Sequence, residues 1–250
     1  MAKTWRQKIT LILLALYWPA LFFLAHVPIP QLVRKAGVSD KCLHFLAYLI
    51  LTFLLWFSIK SDEKVKWRRP AVWCIIVLTA GYGAVDEVIQ STVGRTCDVL
   101  DIAANLAGIL TGLFIFSFFT FWPSSLFVTG LTVFGITNIA KANLAEMFPV
   151  TYMLFHLFAF GIFTALWIQN MHLSIDIKES ETKWLICAFS VPVGFLLTVK
   201  VFTAILGRDF AVTDIIASLG AIIIVTVAIY IRALLKKRRT STTKPLDDTI

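Results

Sequence analysis

Polar residues able to bind a charged group or move a proton recur at helical spacing in a chain that is otherwise apolar. Lys41, His44 and Tyr48 fall within about 60° of one another on a helix, Gly83, Glu87 and Gln90 share a similar face, and Asp98, Asp101, Asn105, Gly108 and Gly112 lie within about 80°. Lys41, His44, Glu87, Gln90, Arg95, Asp98, Asp101 and Asn105 are the candidate ligand-binding set. Two cations stand there against Glu87, Asp98 and Asp101, a formal charge of −1, or −2 if Asp86 joins them. Arg95 suits bidentate pairing with a carboxylate. Glu87 and His44 are the candidates for acid–base work, although no residue is assigned a catalytic role.

Each residue also has a plainer reading. Asp98 followed by Asp101 before an apolar run fits a helix N-cap with an acidic third position. Lys41 and Arg95 fit snorkelling cations, and His44 alone fits a hydrogen-bonded structural histidine. Glu87 resists such an account, because a carboxylate inside an apolar span needs a partner or a proton. No His-x-x-x-His or paired-cysteine spacing occurs, so neither a metal nor another cofactor is expected. Cys42 and Cys97 fall at the same end of their spans, but Cys74 and Cys187 do not, and no disulfide framework follows. A Gly-x-Ser-x-Gly turn is also absent.

The elements that must carry these residues are membrane helices. Of 250 residues, 58% are hydrophobic and 15% charged, and the mean hydropathy is +0.82. Soluble domains carry about 25% charged residues, which excludes a water-soluble globule. Apolar runs cover Ile9 to Val27, which reads as a retained helix rather than a cleaved signal, then Cys42 to Ile59 and Ala71 to Gln90. Residues 102–140 carry no acidic or basic side chain. As one helix they would measure about 58 Å against a hydrocarbon layer of about 30 Å, so they must fold back, with the break expected at Trp122-Pro123-Ser124-Ser125. Phe148 to Ile168, Trp184 to Ile205 and Val212 to Ala233 complete about eight spans.

Of the 23 lysines and arginines, 16 fall at the N-terminus, between the second and third spans, between the sixth and seventh, and in the C-terminal tail. The positive-inside rule then places both termini in the cytoplasm and the polar stripes at the outer boundary. The net charge of +8 is mostly a topology signal. Nucleic acid is not an expected partner, since the basic patches lack interleaved aromatics.

Two pairs of segments repeat about 113 positions apart. GRTCDVLDIAANLAG and GRDFAVTDIIASLGA agree at seven of fifteen positions, HFLAYLILTFLL and HLFAFGIFTALW at five of twelve. The expected architecture is therefore an all-α, polytopic helical membrane protein built as two four-helix repeats in parallel orientation. Residues 1–123 form the first, 124–235 the second, and 236–250 a basic tail expected to be disordered. In the second copy His156, Arg208 and Asp214 persist, but Met153, Lys200, Thr203, Ala211 and Ser218 replace Lys41, Glu87, Gln90, Asp98 and Asn105. One complete site, in the first half, is expected.

The strings DKCLHFLAYLILTFLL and DEVIQSTVGRTCDVLDIAANLAGILTG resemble the VanZ-like family of bacterial membrane proteins, in its order Asp-Lys-x-x-His-Phe, Glu-x-x-Gln, a Gly-Arg loop and Asp-x-x-Asp-x-x-x-Asn-x-x-Gly. The resemblance covers roughly residues 10–120 and falls on the eight candidate residues. It implies a protein of the bacterial cytoplasmic membrane, linked through the family's namesake to tolerance of the glycopeptide teicoplanin. The expected function is binding of a lipid headgroup or lipid-linked envelope precursor, an anionic group resting on Arg95 and Lys41. The alternative is an enzyme acting on a lipid-linked substrate through Glu87 or His44. A proton-coupled transporter ranks third, because the fourth span beyond Asn105 is Ala, Gly, Leu, Ile and Phe.

Overall fold

The computed structural model describes residues 4–26, 39–92, 98–140, 149–172, 181–208 and 211–242, with no side-chain description for Pro149 or residues 236–242. Among them the chain forms eight α-helices and no strand: α1 (Trp5–His26), α2 (Asp40–Ile59), α3 (Pro70–Thr92), α4 (Val99–Phe118), α5 (Phe121–Phe134), α6 (Pro149–Met171), α7 (Glu181–Ile205) and α8 (Val212–Thr242). Seven are long and apolar enough to cross a membrane. The exception, α5, has 14 residues, about 21 Å. A π-helical turn, Gly135–Ile139, continues it and brings the helical segment to about 28 Å, close to the hydrocarbon thickness. The chain is thus a polytopic helical membrane protein.

The fold-back comes slightly earlier than expected. α4 ends at Phe118, and α5 begins at Phe121 with Pro123 inside its first turn. Proline is harmless there because first-turn N–H groups have no intrahelical acceptor. The tail also departs from expectation, since α8 runs to Thr242 and residues 236–242 are helical rather than disordered. Lysine and arginine propagate helix well and complement the dipole at its C-terminal end. Residues 243–250 lie outside the described residues.

The chain divides into two compact units at Pro149/Val150. In the first, α2 is the central helix, packed by α1, α3, α4 and α5. Leu49, Leu51, Trp56 and Phe57 on α2 are fully buried. Phe53, Phe57, Phe116 and Phe121 interlock with ring centroids 5.0–5.8 Å apart. Lipid tails are as apolar as these side chains, so the packing gain is mostly dispersion and close fit. Because α5 packs on α2, the packing division falls after α5, whereas the repeat boundary drawn on sequence falls before it. The basic connection between α2 and α3 is pinned: Arg6 pairs with Asp62 at 2.9 Å, Arg69 pairs with Glu63, and the Val65 N–H donates to the Phe116 carbonyl at 2.8 Å. The Arg69 guanidinium holds the Glu63 carboxyl below the usual carboxylate range.

The second unit packs α7 against α8. Phe163 and Phe195 stack at 4.4 Å, and the Trp167 indole N–H donates to the Cys187 carbonyl at 2.8 Å. α7 ends on Gly207 at φ 64°, where the Arg208 N–H reaches back to the Thr203 carbonyl at 3.1 Å. This is the left-handed helix cap that glycine permits, and it gives the second Gly-Arg pair a structural role.

Candidate functional site

Three helix ends meet at one end of the first unit: the start of α2, the end of α3 and the start of α4. Two glycines allow the approach. A Cβ on Gly108 would stand 2.2 Å from the Phe45 carbonyl oxygen, so only glycine lets α4 lie this close to α2. A Cβ on Gly83 would meet the Asn105 Nδ2 and the Tyr48 hydroxyl, each at 3.0 Å. The polar stripes are therefore pressed together rather than merely level with one another.

Lys41 Nζ donates to Asp98 Oδ2 at 2.7 Å and to Asp101 Oδ1 at 3.3 Å. The other oxygen of Asp98 accepts the Leu100 N–H at 2.9 Å, so Asp98 is both an N-cap and an ion-pair partner. The Lys41 hydrogen bond, helped by the Leu100 N–H, holds the Asp98 carboxyl below the usual carboxylate range. His44 Nδ1 is 3.0 Å from Asn105 Oδ1. Its Nε2 lies 3.7 Å from Glu87 Oε1 and 3.7 Å from Asp40 Oδ1. Gln90 donates from Nε2 to Asp86 Oδ2 at 2.8 Å, so it orients a carboxylate.

Glu87 is only 1% exposed. Neither of its oxygens makes a hydrogen bond of good geometry among the described residues, the Asp98 backbone N–H and His44 Nε2 being its neighbours, and Asn105 Nδ2 and the Tyr48 hydroxyl are likewise unsatisfied. Buried polar atoms are normally satisfied, so this concentration marks a place built for something further. Arg95 lies outside the described residues, as does Cys97 with its expected proximity to Cys42. Cys42 itself donates from Sγ to the Gly135 carbonyl at 3.7 Å.

Seven of the eight candidate residues thus come together. Helical periodicity passed over three further groups. Asp40 stands one turn before His44, and the Asp-Lys-x-x-His string already contained it. Asp86, weighed only as a conditional member, is buried beside His26, whose Nδ1 is 3.8 Å from Asp86 Oδ1. Tyr82 stacks edge-on against Trp18 of α1, ring centroids 5.4 Å apart, and lies 6.2 Å from the Tyr48 ring. Helical spacing within one segment gives no signal for such cross-helix neighbours. With Asp40 and Asp86 included, the cluster holds five carboxylates, two of them bonded to Lys41, and the site is more acidic than its sequence stripes imply.

One ligand atom each from Asp40, His44 and Asp101 lies within 4.8 Å of the others, a donor set drawn from two helices. An apolar groove lined by Leu14, Trp18, Phe22 and Tyr82 runs between α1 and α3. It approaches the polar cluster through Tyr82, and through His26, which stacks on Phe22 at 4.2 Å.

A family model described as VanZ/LLP1 matches residues 4–122. No curated protein and no solved structure matches the chain. The matched segment contains α1 to α4 and every candidate site residue, and over that segment this multi-pass membrane protein is VanZ-like.

Proposed function

We propose that the polar cluster binds the headgroup of a membrane lipid or of a lipid-linked envelope precursor. The observation that carries this reading is the proximity of two surfaces, a polar cluster of three helix ends and an apolar groove on α1 bounded by Tyr82, whose ring lies 6.2 Å from that of Tyr48. A headgroup and its hydrocarbon chain present the same pairing. A phosphate would rest on Arg95 and on the exposed side of Lys41, while Glu87, Asn105 and Tyr48 would take hydroxyls or an amine of the headgroup. Because Lys41 is already shared by Asp98 and Asp101, Arg95 carries most of the anion binding.

The localisation belongs to this reading: a bacterial cytoplasmic membrane, both termini inside, and the cluster facing the outer leaflet, where glycopeptides such as teicoplanin meet wall precursors. The second half is read as a divergent copy that supports the first. Acid–base catalysis on a lipid-linked substrate would use the Glu87–His44 pair, 3.7 Å apart.

Mass spectrometry of lipids retained by the purified full-length protein tests the reading. One lipid class should be enriched several-fold over the surrounding membrane, and Arg95→Ala should remove the enrichment without lowering the thermal midpoint. A retained-lipid profile equal to that of the bulk membrane, unchanged by Arg95→Ala, would rule it out.

A further inference from the structure

We propose that the same cluster holds a divalent metal cation of the Mn2+ or Zn2+ kind, ligated by Asp40, His44, Glu87 and Asp101. The proposal deepens the headgroup reading, to which it adds a bridge toward a phosphate, yet it requires no bound lipid.

The geometry is nearly closed. Donors about 2.1 Å from a shared centre lie at most about 4.2 Å apart. The ligand atoms of Asp40, His44 and Asp101 are already within 4.8 Å of one another, so a closure of about half an ångström brings these three onto one ion, and Glu87, within reach of His44 alone at 3.7 Å, would complete the set by a side-chain rotation. Acidic residues near a histidine do not by themselves make a site. The second observation is Glu87, which is buried, makes no hydrogen bond of good geometry among the described residues beyond a loose approach of the Asp98 backbone N–H, and points Oε1 at His44 Nε2 across 3.7 Å. The 3.7 Å between Oε1 and Nε2 is within the span of two ligands on one cation.

His44 is oriented to match. When Nδ1–H donates to Asn105 Oδ1 at 3.0 Å, Nε2 presents a lone pair toward Asp40 and Glu87. Acceptors then face acceptors, an arrangement that a proton or a shared cation between them relieves. A histidine ligand typically fixes its tautomer through such a bond from its other nitrogen. Lys41 does not supply that cation, because its hydrogen bonds go to Asp98 and Asp101 and not to Glu87. Three carboxylates and one imidazole form a mixed oxygen–nitrogen set. That set suits Mn2+ or Zn2+ better than the all-oxygen shells of Ca2+ or Mg2+.

The second half of the chain offers an internal comparison. At the sequence position of Glu87 stands Lys200, and its Nζ lies 3.9 Å from Asp214, the counterpart of Asp101. Both are largely buried, as is His156, the counterpart of His44. The second half thus carries a tethered ammonium at the position where the first, having a carboxylate instead, offers a ligand to a cation from outside.

Electron paramagnetic resonance titration of Mn2+ into tag-free, full-length protein in detergent, with Zn2+ as competitor, is the test. One Mn2+ per chain should bind and be displaced by Zn2+. Glu87→Gln and Asp101→Asn should each weaken binding at least tenfold. Glu87→Lys, which copies the second half, should abolish binding while its thermal midpoint in metal-free buffer stays at or above that of the parent. Absence of saturable Mn2+ or Zn2+ binding, or equal affinity in the parent, Glu87→Gln and Glu87→Lys, overturns the proposal. Lipid content measured on the same samples separates the two readings. Bound Mn2+ with a bulk-like lipid profile supports the metal and defeats the headgroup, and an enriched lipid class without saturable metal does the reverse.

Discussion

Asp98 divides one carboxylate between two tasks: Oδ1 caps α4 and Oδ2 receives the Lys41 ammonium. Asparagine retains a capping oxygen but not the charge, so Asp98→Asn isolates the ion pair. The hydrogen bond from Lys41 lowers the folded-state pKa of Asp98. Its stabilising effect is therefore present above the ordinary carboxylate value of about 4 and is lost as pH falls through the lower folded value. The thermal midpoint of the parent should exceed that of Asp98→Asn at pH 7, and the gap should close as the pH is taken from about 4 toward 2. A gap of constant size over that range would mean that the charge contributes nothing. At this scale the sequence was informative about which side chains matter and less so about their partners. Period-3.6 spacing located Lys41, His44, Glu87, Asp101 and Asn105, because polar letters stand out in apolar spans. It could not show that Gln90 serves Asp86 or that His26 of α1 reaches the same carboxylate, since those contacts cross between helices whose rotation no spacing encodes.

The helices set the distances at which those side chains meet, and Gly108 is the tightest point. Any Cβ there would press on the Phe45 backbone oxygen at 2.2 Å, an atom that cannot swing aside, whereas a Cβ on Gly112 would touch Leu49 and Phe116 side chains at an ordinary 3.4 Å. Gly108→Ala should therefore cost roughly 1–3 kcal/mol, the usual range for overpacking, and Gly112→Ala should be close to neutral. Detergent-solubilised thermal unfolding of the two variants is the comparison; equal midpoints would show that α4 is free to move off α2. Apolar composition and charge gaps sufficed to find the spans, but not their ends. The break between α4 and α5 falls at Phe119–Thr120 because first-turn proline is tolerated, which leaves Pro123 inside the helix it was expected to precede. Hydropathy also merges α5 with its π-turn, in which the Ala140 N–H returns to the Gly135 carbonyl at 2.9 Å.

Across the whole molecule the open physical question is which side of the membrane the carboxylates face, and charge and parity answer it together. The connection between α2 and α3 carries Lys60, Lys64, Lys66, Arg68 and Arg69, whereas α2 starts and α3 ends at the opposite, carboxylate-bearing end. Lysine and arginine concentrate on the cytoplasmic side, and the proposed orientation, with the cluster outward, rests on that rule. Parity adds a condition. Seven crossings would put the two termini on opposite faces, but α5 continued by its π-turn spans about 28 Å, close to the hydrocarbon thickness of about 30 Å, and is long enough for the eighth crossing that the proposed topology needs. With it, the proposed topology has both basic ends inside, as the charge of the C-terminal run favours. In a background with the native cysteines replaced, Ser91→Cys should react with a membrane-impermeant maleimide in intact cells. Lys64→Cys and a cysteine appended after Ile250 should react only after permeabilisation. Labelling of Lys64→Cys in intact cells with Ser91→Cys protected would invert the protein and move the proposed headgroup and metal cluster to the cytoplasmic leaflet. Labelling of the C-terminal cysteine alone would instead show that α5 turns back before crossing, and would leave the outward-facing cluster where the charges place it.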